Sequence, residues 1–399
     1  MTTYRDVLRH REMPAIFLAH GVSLVGSVAA ELALSVLVYR RTASPLLSAL
    51  TLACAFVPQA LSAVFLSSIV DRVPARRLLV ICDLLCALLV TGMTVPGTPT
   101  AVLLVLSAAT GVVTPLFSAS RVAMLADALE GEVWVRARSM MRVLSQSALL
   151  LGFAVGGLLL AVVGPRTLLV ADAVSFVVSA AVLRLGTSPR PARGSARPRV
   201  SFGVAGQAVR DPQLRRLMLM TWLPSACVAS VDALATPYAA PDTTAIGLML
   251  AAAALGSIAA EVVGRHVTRE RPVAALTGLG LLLFAFHPPV WLAIALVLLA
   301  MQGGAVGQSL DGRLLATMDE RSRGQLLALQ GGLLMGIQGG GIALAGALAE
   351  AFPPYAVLAA FGVLDLICVW TLLGPGPGPG PRPRDHQAIA ARHADVSPP

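Results

Sequence analysis

Long apolar runs alternate with short polar connections along almost the whole chain. A helical bilayer crossing takes about 20 mostly apolar residues, and the chain offers twelve runs of roughly that size, of which the ninth is the shortest. The runs cover residues 14–39, 45–70, 78–95, 100–120, 140–163, 167–183, 215–239, 244–263, 272–286, 289–309, 325–349 and 352–373. The pattern predicts an all-α integral membrane protein with about twelve transmembrane helices.

The composition excludes an ordinary soluble protein. Hydrophobic residues make up 56% of the 399 residues, whereas charged residues make up only 13%. This much apolar surface is stable against lipid rather than against water. We therefore expect the lipid bilayer to be a partner of the chain.

The net charge is +9, and the basic residues are distributed as the positive-inside rule describes and not as a nucleic-acid-binding patch. Arginines cluster in alternate connections, for example at 5–11, 72–77 and 190–216, while the opposite side carries only Arg40, Arg41 and Arg166. We expect a multi-pass protein of the cytoplasmic (cell) membrane, with both termini in the cytoplasm and no nucleic-acid partner.

Several kinds of chemistry are excluded by residue types. Lysine is absent from the sequence, and a P-loop needs a Lys that reaches the β- and γ-phosphates, so an ATP-binding subunit of that type is excluded. The five cysteines lie within apolar runs, which argues against a disulfide framework. Cys82 and Cys86 share a helix face, but no third metal ligand is visible. We expect no metal and no cofactor.

A polar, proline-rich stretch divides the chain into two halves of six runs. Between Arg184 and Arg216 the hydrophobic rhythm is broken by several prolines and arginines. The expected units are an N-terminal six-helix bundle at 1–184, a central cytoplasmic loop at 185–214, a C-terminal six-helix bundle at 215–373, and a disordered Gly/Pro-rich cytoplasmic tail at 374–399.

The two halves repeat one another. Three sets of residues recur in the same order, at separations of 201, 192 and 184 residues. The sets are His20, Glu31 and Ser35 with Thr221, Asp232 and Thr236; Arg121 and Asp127 with Arg313 and Asp319; and Gly152, Gly156 and Gly157 with Gly336, Gly340 and Gly341. The shared order indicates a duplication, so the predicted fold is two pseudo-repeated six-helix bundles.

Two acids lie inside apolar runs, at matching places in the two halves. Because an ionised group in hydrocarbon is costly, Glu31 and Asp232 are functional candidates. We expect Glu31 to be the principal proton carrier and Asp232 a second carrier or a cation site; a structural pair with a neighbouring helix is the alternative for each. Arg121 and Arg313 are the expected counter-ions or gate residues. His20 is either a proton relay or a hydrogen-bonded structural residue.

Helical spacing aligns further polar residues on every third helix. These residues predict a substrate cavity, because they place hydroxyl and amide groups on one face of apolar helices. The set is Ser23, Ser27 and Ser35 in the first run, Thr110, Thr114 and Ser118 in the fourth, Thr221, Ser225 and Thr236 in the seventh, and Gln302 and Ser309 in the tenth. The second and sixth runs carry polar stripes too, the sixth with Asp172 and Ser175.

Several motifs resemble the major facilitator superfamily, and its drug-efflux branch in particular. The segment Asp71-Arg72-Val73-Pro74-Ala75-Arg76-Arg77 is similar to the family's signature loop, although Pro74 and Ala75 replace its Gly-Arg and Ser67 replaces a Gly. Arg121, Asp172-Ala173-Val174-Ser175-Phe176 and Arg323-Gly324 are further similar pieces. Gly152-Phe153-Ala154-Val155-Gly156-Gly157 resembles the antiporter motif, with Phe153 in place of Pro.

The resemblance covers about residues 8–373 and implies a fold of the major facilitator type, in which helices one, four, seven and ten line a central cavity. It implies that Asp71, Arg72, Arg76 and Arg77 form a gating loop; a role in topology alone is the alternative. It also implies an antiporter-like helix at Gly152, Gly156 and Gly157, for which close helix packing is the alternative. Such transporters usually work as monomers by alternating access.

The expected function is secondary active transport, as proton-coupled export of a small amphipathic compound such as a drug or a secreted metabolite. The expected partners are that small-molecule substrate and protons. Two alternatives remain open, namely a proton symporter that imports a small metabolite and a non-transporting polytopic membrane protein. An enzyme is not expected, because the sequence lacks motifs such as His-Glu-x-x-His and Gly-x-Ser-x-Gly.

Overall fold

A computed structural model of the chain describes residues 4–65, 72–129, 131–191, 210–264, 266–267, 269–317 and 323–373. These residues form helices and short connections, and no strand occurs among them. After a short helix at Tyr4–Arg9, the main helices are α1 (Met13–Thr42), α2 (Pro45–Phe65), α3 (Ala75–Thr94), α4 (Thr100–Ala128), α5 (Gly131–Val163), α6 (Pro165–Gly186), α7 (Pro212–Ala239), α8 (Thr243–Gly264), α9 (Glu270–Leu282), α10 (Val290–Met301) with α10′ (Gly307–Thr317), α11 (Arg323–Leu348) and α12 (Pro354–Leu372).

Ten helical spans in the described ranges are long and apolar enough to cross a membrane, and one of them, Val290–Leu315, runs through α10 and α10′. The apolar part of α2, Pro45–Gln59, is shorter. Helix α9 has only 13 residues and continues as a 3-10 turn at Leu283–Phe286. The all-α membrane fold predicted from the sequence is confirmed, and the ninth run is a short helix, as expected.

Helices α4 and α5 are longer than their apolar runs. The sequence pattern ended the fourth run at residue 120 and began the fifth at 140, but α4 continues to Ala128 and α5 begins at Gly131. Arg136 and Arg138 therefore lie within the first turns of α5 and not in the connection that the sequence pattern placed between runs four and five. The reason is that arginine is a good helix former, so the helix continues past the point where the apolar residues stop.

The helices form two bundles, α1–α6 and α7–α12, each with its own packing. One buried cluster joins residues of the first bundle alone, from Val7 to Leu183, and another joins residues of the second bundle alone, from Leu214 to Leu373. A third cluster crosses between the bundles and includes Leu32 of α1 and Leu234 of α7. Apolar packing therefore holds each bundle together and also holds the bundles to one another.

Contacts between helix ends show which ends lie on the same side of the molecule, and the two sides are called the near side and the far side. On the near side, where α1 begins, the Glu12 carboxylate accepts hydrogen bonds from the Ser188 backbone N–H and from Arg190. On the far side, where α1 ends, Arg41 donates to the carbonyl of Thr98 between α3 and α4. Also on the far side, Tyr238 at the end of α7 donates to the Pro288 carbonyl.

Close contacts between the bundles gather on the far side. A Cβ added at Gly157 of α5 would come within 2.7 Å of the Cα of Gly247 in α8. A Cβ added at Gly346 of α11 would come within 2.6 Å of the Cβ of Ala49 in α2. Small residues thus let the helix backbones of the two bundles approach closely at this side.

Candidate functional site

The centre of the interface lies between α1 and α7, where residues related by the repeat meet one another. The hydroxyls of Ser35 and Thr236, which are 201 residues apart, lie 3.0 Å from each other. Equivalent residues touch only near the axis that relates two repeated units. One helical turn earlier in both helices, Glu31 interacts electrostatically with Asp232. The two acids singled out from the sequence therefore lie close enough to interact electrostatically across the bundle interface.

Glu31 lies inside the molecule, but its side chain is exposed to an internal opening. Its side chain belongs to the middle part of α1 and is the one exposed side chain between Val28 and Val38. It borders a cavity of about 150 Å³ inside the first bundle. Asp232 is half-buried. A carboxylate placed at such an internal opening is accessible to small molecules although it lies at membrane depth.

The cavity of the first bundle brings together many of the predicted residues. Besides Glu31, it is bordered by Ser23, Ser27, Thr110, Thr114 and Arg121 from the predicted set. Asp172 and Phe176 of α6 line it as well, as do Cys86, Val90 and Met93 of α3. The polar stripes predicted on α1 and α4 do face one space.

Asp172 was named in the sequence as part of a motif and a polar stripe, but not as a candidate site residue. It is buried, and its Oδ1 atom accepts hydrogen bonds from Ser27 of α1 and Ser175, each at 3.3 Å. A Cβ added at Gly26 would come within 2.8 Å of the same oxygen. Asp172 also interacts electrostatically with Glu31. The polar stripe on α6 is a sequence signal that could have identified Asp172 as a site residue, but the sequence did not indicate that this stripe faces α1.

Arg121 belongs to a second polar group nearer the near side of the first bundle. Its Nη1 atom lies 3.4 Å from His20 Nε2, which is also 2.7 Å from the hydroxyl of Ser145 in α5. Arg121 interacts electrostatically with Asp83 of α3, whose Oδ2 atom accepts a 2.8 Å hydrogen bond from Ser179 of α6. The electrostatic partner of Arg121 is thus Asp83, although Arg121 and Glu31 border the same cavity.

The second bundle contains a larger cavity of about 320 Å³. Of the predicted residues, Thr221 and Ser225 line it. Asp232 and Thr236 lie beyond it on α7, toward the far side. Gln302 donates to the carbonyls of Leu298 and Gly256 at 3.1 and 3.3 Å. Only part of the predicted stripe on α7 and α10 therefore faces this cavity.

Arg313 is not placed beside Asp232. Its Nη1 atom lies 3.0 Å from Glu270 Oε2 in α9, and Ser309 donates to the same carboxylate. Glu270 opens α9 and was missed in the sequence, since an acid in the first turn of a helix is common. Arg121 and Arg313, equivalent in the repeat, thus each face an acid of the third helix of their own bundle. A gate role for either arginine stays a prediction.

Two predicted cavity residues point elsewhere. Ser118 of α4 is exposed and does not border the cavity that Thr110 and Thr114 line. Ser35 is buried and bonds to Thr236 and to Ser48 of α2. The helical stripe alone did not separate these cases, because spacing along one helix does not specify which neighbouring helix each of its turns contacts.

The predicted gating loop is only partly within the described residues, since Asp71 lies outside them. Arg72 and Arg77 are exposed. Arg76 donates to the carbonyl of Arg184 at the end of α6. This bond ties the start of α3 to the end of α6 on the near side of the first bundle.

The glycines of the antiporter-like helix are packing positions. A Cβ at Gly152 or Gly156 would come within 2.6 and 3.0 Å of Cβ atoms of Val28 and Ala29 in α1. Gly157 instead faces Gly247 of the other bundle. The three glycines therefore hold α5 close to both α1 and α8, and any direct role in antiport stays a prediction.

Two ion pairs on the near side were not singled out in the sequence. Arg142 of α5 pairs with Glu261 of α8, so it joins the bundles. Glu12 pairs with Arg190 at 2.7 Å. Burial raises the pKa of the Glu12 carboxyl, but hydrogen bonds from Arg190 and Ser188 and the charge of Arg190 outweigh this effect, so that its pKa lies below the ordinary value.

Within the described ranges, no group of three or more His, Cys, Asp or Glu side chains is arranged to hold a metal ion. The polar groups in the two cavities are carboxylates, hydroxyls, an amide and one guanidinium. Such groups bind protons, cations and polar parts of organic molecules, which suits transport of a small solute.

The chain is similar to known transporters in sequence and in fold. The sequence profile of the Major Facilitator Superfamily matches residues 16–273. The "Multidrug efflux pump Tap" of Mycolicibacterium fortuitum is 25% identical over 360 residues, which cover 83% of this chain and 87% of that protein.

Two solved structures share the fold at low sequence identity. The nucleoside transporter NupG is 11% identical, with a TM-score of 0.70 over 90% of this chain and 98% of its own. A peptide transporter POT in complex with alafosfalin is 14% identical, with a TM-score of 0.71 over 98% of this chain and 96% of its own. Because the family profile matches more than half of the chain, and the fold agrees, this protein belongs to the major facilitator superfamily and is a membrane transporter.

Proposed function

We propose that this transporter is a secondary active exporter, which couples the outward movement of a small amphipathic compound to the inward movement of protons. The observation that carries the proposal is the position of Glu31, an exposed carboxylate at membrane depth that interacts electrostatically with Asp232 of the opposite bundle. Both acids lie on the helices that meet at the axis of the repeat.

The repulsion between Glu31 and Asp232 depends on whether one of them carries a proton. Two like charges facing each other inside a membrane protein repel, and binding of one proton or one cationic group relieves the repulsion. When the bundles move relative to one another, the distance between Glu31 and Asp232 changes, because each acid belongs to a different bundle. A change of distance alters the energy of binding a proton, and this links proton uptake to the change of conformation.

Glu31 is the principal proton carrier and Asp232 a second carrier or a cation site. Arg121, which borders the same cavity as Glu31, forms a polar group with His20. The hydroxyls that border the two cavities contact the substrate, and Arg72, Arg76 and Arg77 belong to the gating loop at the near side.

The orientation and the domain division are part of the same proposal. The arginine-rich near side is the cytoplasmic side, both termini are cytoplasmic, and the cytoplasmic membrane holds the protein as a monomer. The bundles at 1–184 and 215–373 act as the two moving bodies. Similarity to a protein named a multidrug efflux pump supports export, whereas the cavity and its acids would serve proton symport equally well.

The test is proton movement in inside-out vesicles energised with a pH gradient. Ethidium and other amphipathic compounds are added to vesicles with wild type, Glu31→Gln, Asp232→Asn or Asp242→Asn. Asp242 is the matched acid control, because its side-chain hydrogen bonds in the described part of the chain are helix-cap bonds from Thr244 and Ala245, and Asn caps a helix as well as Asp does.

Compound-dependent release of protons in wild type and Asp242→Asn, together with its loss in Glu31→Gln, is expected. Proton release that is unchanged in both Glu31→Gln and Asp232→Asn would overturn the assignment of the carriers. Protons that move in the same direction as the compound would show symport instead of export, and no compound-linked proton movement in wild type would overturn the proposed function.

A further inference from the structure

Helix α10 is interrupted in the middle of its membrane span. The α-helix ends at Met301, a 3-10 turn covers Gln302–Val306, and α10′ begins at Gly307. Its counterpart in the first bundle, α4, is one continuous helix from Thr100 to Ala128. Of these two equivalent helices, only the one in the second bundle is interrupted.

The interruption lies against α9, which approaches it closely. Thr277 donates a 2.7 Å hydrogen bond to the carbonyl of Ala300, and a Cβ added at Gly303 would come within 2.0 Å of the Thr277 hydroxyl oxygen. The equivalent glycine of α4, Gly111, instead packs against the backbone of Ala55 within a continuous helix. Close packing by itself thus does not require the 3-10 turn.

Non-helical backbone at membrane depth is tolerated where it borders a cavity or is buried in protein. In this molecule Gly303, Gly304, Val306 and Gly307 all line the 320 Å³ cavity of the second bundle. In membrane transporters, interrupted helices beside a midplane cavity are typical of substrate sites. The volume falls at the lower end of the range for pockets that hold drug-sized molecules.

The two cavities differ in chemistry. The cavity of the first bundle is bordered by Glu31, Asp172 and Arg121. Among the described residues, the cavity of the second bundle is lined by apolar and neutral polar side chains and by one acid, Glu261, which is paired with Arg142. The neutral polar residues are Thr221, Ser225, Ser257, Thr277 and Gln338, and the apolar residues include Met220, Val228 and Met301.

We propose that the cavity beside the α10 interruption is the cargo subsite, and that it takes an uncharged amphipathic compound. The apolar part of the compound packs against Met220 and Met301, and its polar group bonds with the Thr221 and Ser225 hydroxyls and the Gln338 amide. The inference rests on the proposed function, in that the chain moves an amphipathic cargo. It narrows the substrate contacts of the proposed function to the cavity of the second bundle, and it leaves the cavity beside Glu31 to protons.

The test is photolabelling of the purified full-length protein with two matched benzophenones. One probe is neutral, 4-benzoylbenzyl alcohol, and the other is cationic, (4-benzoylbenzyl)trimethylammonium. Excited benzophenone inserts efficiently into C–H bonds of methionine, so Met220 and Met301 should report binding. Labelled peptides are located by mass spectrometry, and neither step requires a proton gradient.

Glycines supply a matched set of variants. Gly304 and Gly307 line the cavity and a Cβ at either meets open space, apart from Ala260 Cβ at 4.0 Å from that of Gly304. Gly304→Leu and Gly307→Leu should therefore fill the cavity. Gly340→Leu is the control, because Gly340 is exposed, has open space around its Cβ position and does not line this cavity.

We expect the neutral probe to label the peptides with Met220 and Met301 in wild type and Gly340→Leu, at least several-fold more than the cationic probe does. Labelling should fall several-fold in the two cavity-filling variants. Labelling confined to other segments, such as that with Met93 of the first cavity, or equal labelling by both probes, would overturn the inference. The comparison of the two probes in wild type is a test by itself, so the proposal can be overturned even if a variant misfolds.

A negative result here is distinguishable from failure of the proposed function. If vesicles show proton-coupled transport but the neutral probe does not label Met220 or Met301, only the cargo subsite is wrong. If labelling occurs but no compound-linked proton movement is found, the subsite stands and the proton coupling is wrong.

Discussion

Glu350 caps a helix of the opposite bundle. Its Oε1 atom, between α11 and α12, accepts a 3.0 Å hydrogen bond from the backbone N–H of Leu46 in the first turn of α2, and a second hydrogen bond from the Ser44 hydroxyl. In the second bundle, the equivalent helix α8 is capped by its own residue, Asp242. A cap supplied from across the interface contributes to closure of the far side.

We expect Glu350→Ala to favour opening of the far side. Loss of a helix cap costs about 1 kcal/mol, which shifts the ratio of closed to open molecules by roughly fivefold. The measurement is the distance between spin labels at Val162 and Phe286, both exposed, in a cysteine-free background. Asp242→Ala is the control, because it removes a cap within one bundle. Equal distance distributions in Glu350→Ala and Asp242→Ala would contradict the prediction.

Ser35→Ala and Thr236→Val should have a smaller effect on the same equilibrium. Each removes the 3.0 Å hydrogen bond between the two hydroxyls at the axis of the repeat. Hydrogen bonds between membrane helices contribute about 0.6 kcal/mol on average, so a shift of roughly threefold toward the open far side is expected with the same spin labels.

The double variant separates this bond from other contacts of Ser35. Ser35 also contacts Ser48 at 2.9 Å, so its replacement has consequences within the first bundle. If the Ser35–Thr236 bond is what matters, the double variant should shift the equilibrium by less than the sum of the single variants. Strict additivity would count against a direct energetic link between the two hydroxyls.

Two glycines that are equivalent in the repeat should respond in opposite ways to alanine. A Cβ at Gly156 would lie 3.0 Å from the Cβ of Ala29, whereas a Cβ at Gly340 meets open space. We expect Gly156→Ala to destabilise the protein by about 1–3 kcal/mol through overpacking. Gly340→Ala should be neutral or slightly stabilising, since alanine favours the helix by about 1 kcal/mol over glycine.

Thermal unfolding of the purified proteins in one detergent measures this difference. The midpoint should fall for Gly156→Ala and stay level or rise for Gly340→Ala. A fall of equal size in both variants would mean that the close approach of α5 to α1 does not determine how alanine changes the unfolding midpoint.

The Glu12–Arg190 pair should give a stability contribution that depends on pH. Folding lowers the pKa of Glu12, so the contribution is full above the ordinary Glu pKa of about 4.3 and is lost as the pH falls through the lowered value. Hydrogen bonds to charged groups contribute about 1.5–3 kcal/mol each. We therefore expect Glu12→Gln to lower the unfolding midpoint at neutral pH.

The difference between wild type and Glu12→Gln should shrink when the pH is brought well below about 4. Arg190→Gln is the matched variant, because it removes the partner and leaves the carboxyl. A difference that stays constant from neutral to acid pH would show that the pair does not contribute through the charge of Glu12.

The candidate site was only partly predictable. Glu31 and Asp232 could be identified from the sequence because an acid in an apolar run is conspicuous at any rotation of its helix. Asp172 and Glu270 could not be assigned, since their partners Ser27 and Arg313 belong to other helices. Successive residues of a helix turn by about 100°, so a small difference in helix rotation decides whether a polar residue faces a cavity, a neighbouring helix or lipid.

The membrane class, about twelve helices and the repeat could be predicted without coordinates, because apolar length and the order of repeated residues are local properties of the chain. The bond between Ser35 and Thr236, the cap that Glu350 supplies to the opposite bundle and the interruption of α10 beside a cavity could be found only in the folded molecule. These features depend on contacts between residues 23 to more than 300 positions apart. Such contacts are set by how helices pack and rotate against one another, which the periodicity of a single helix does not specify.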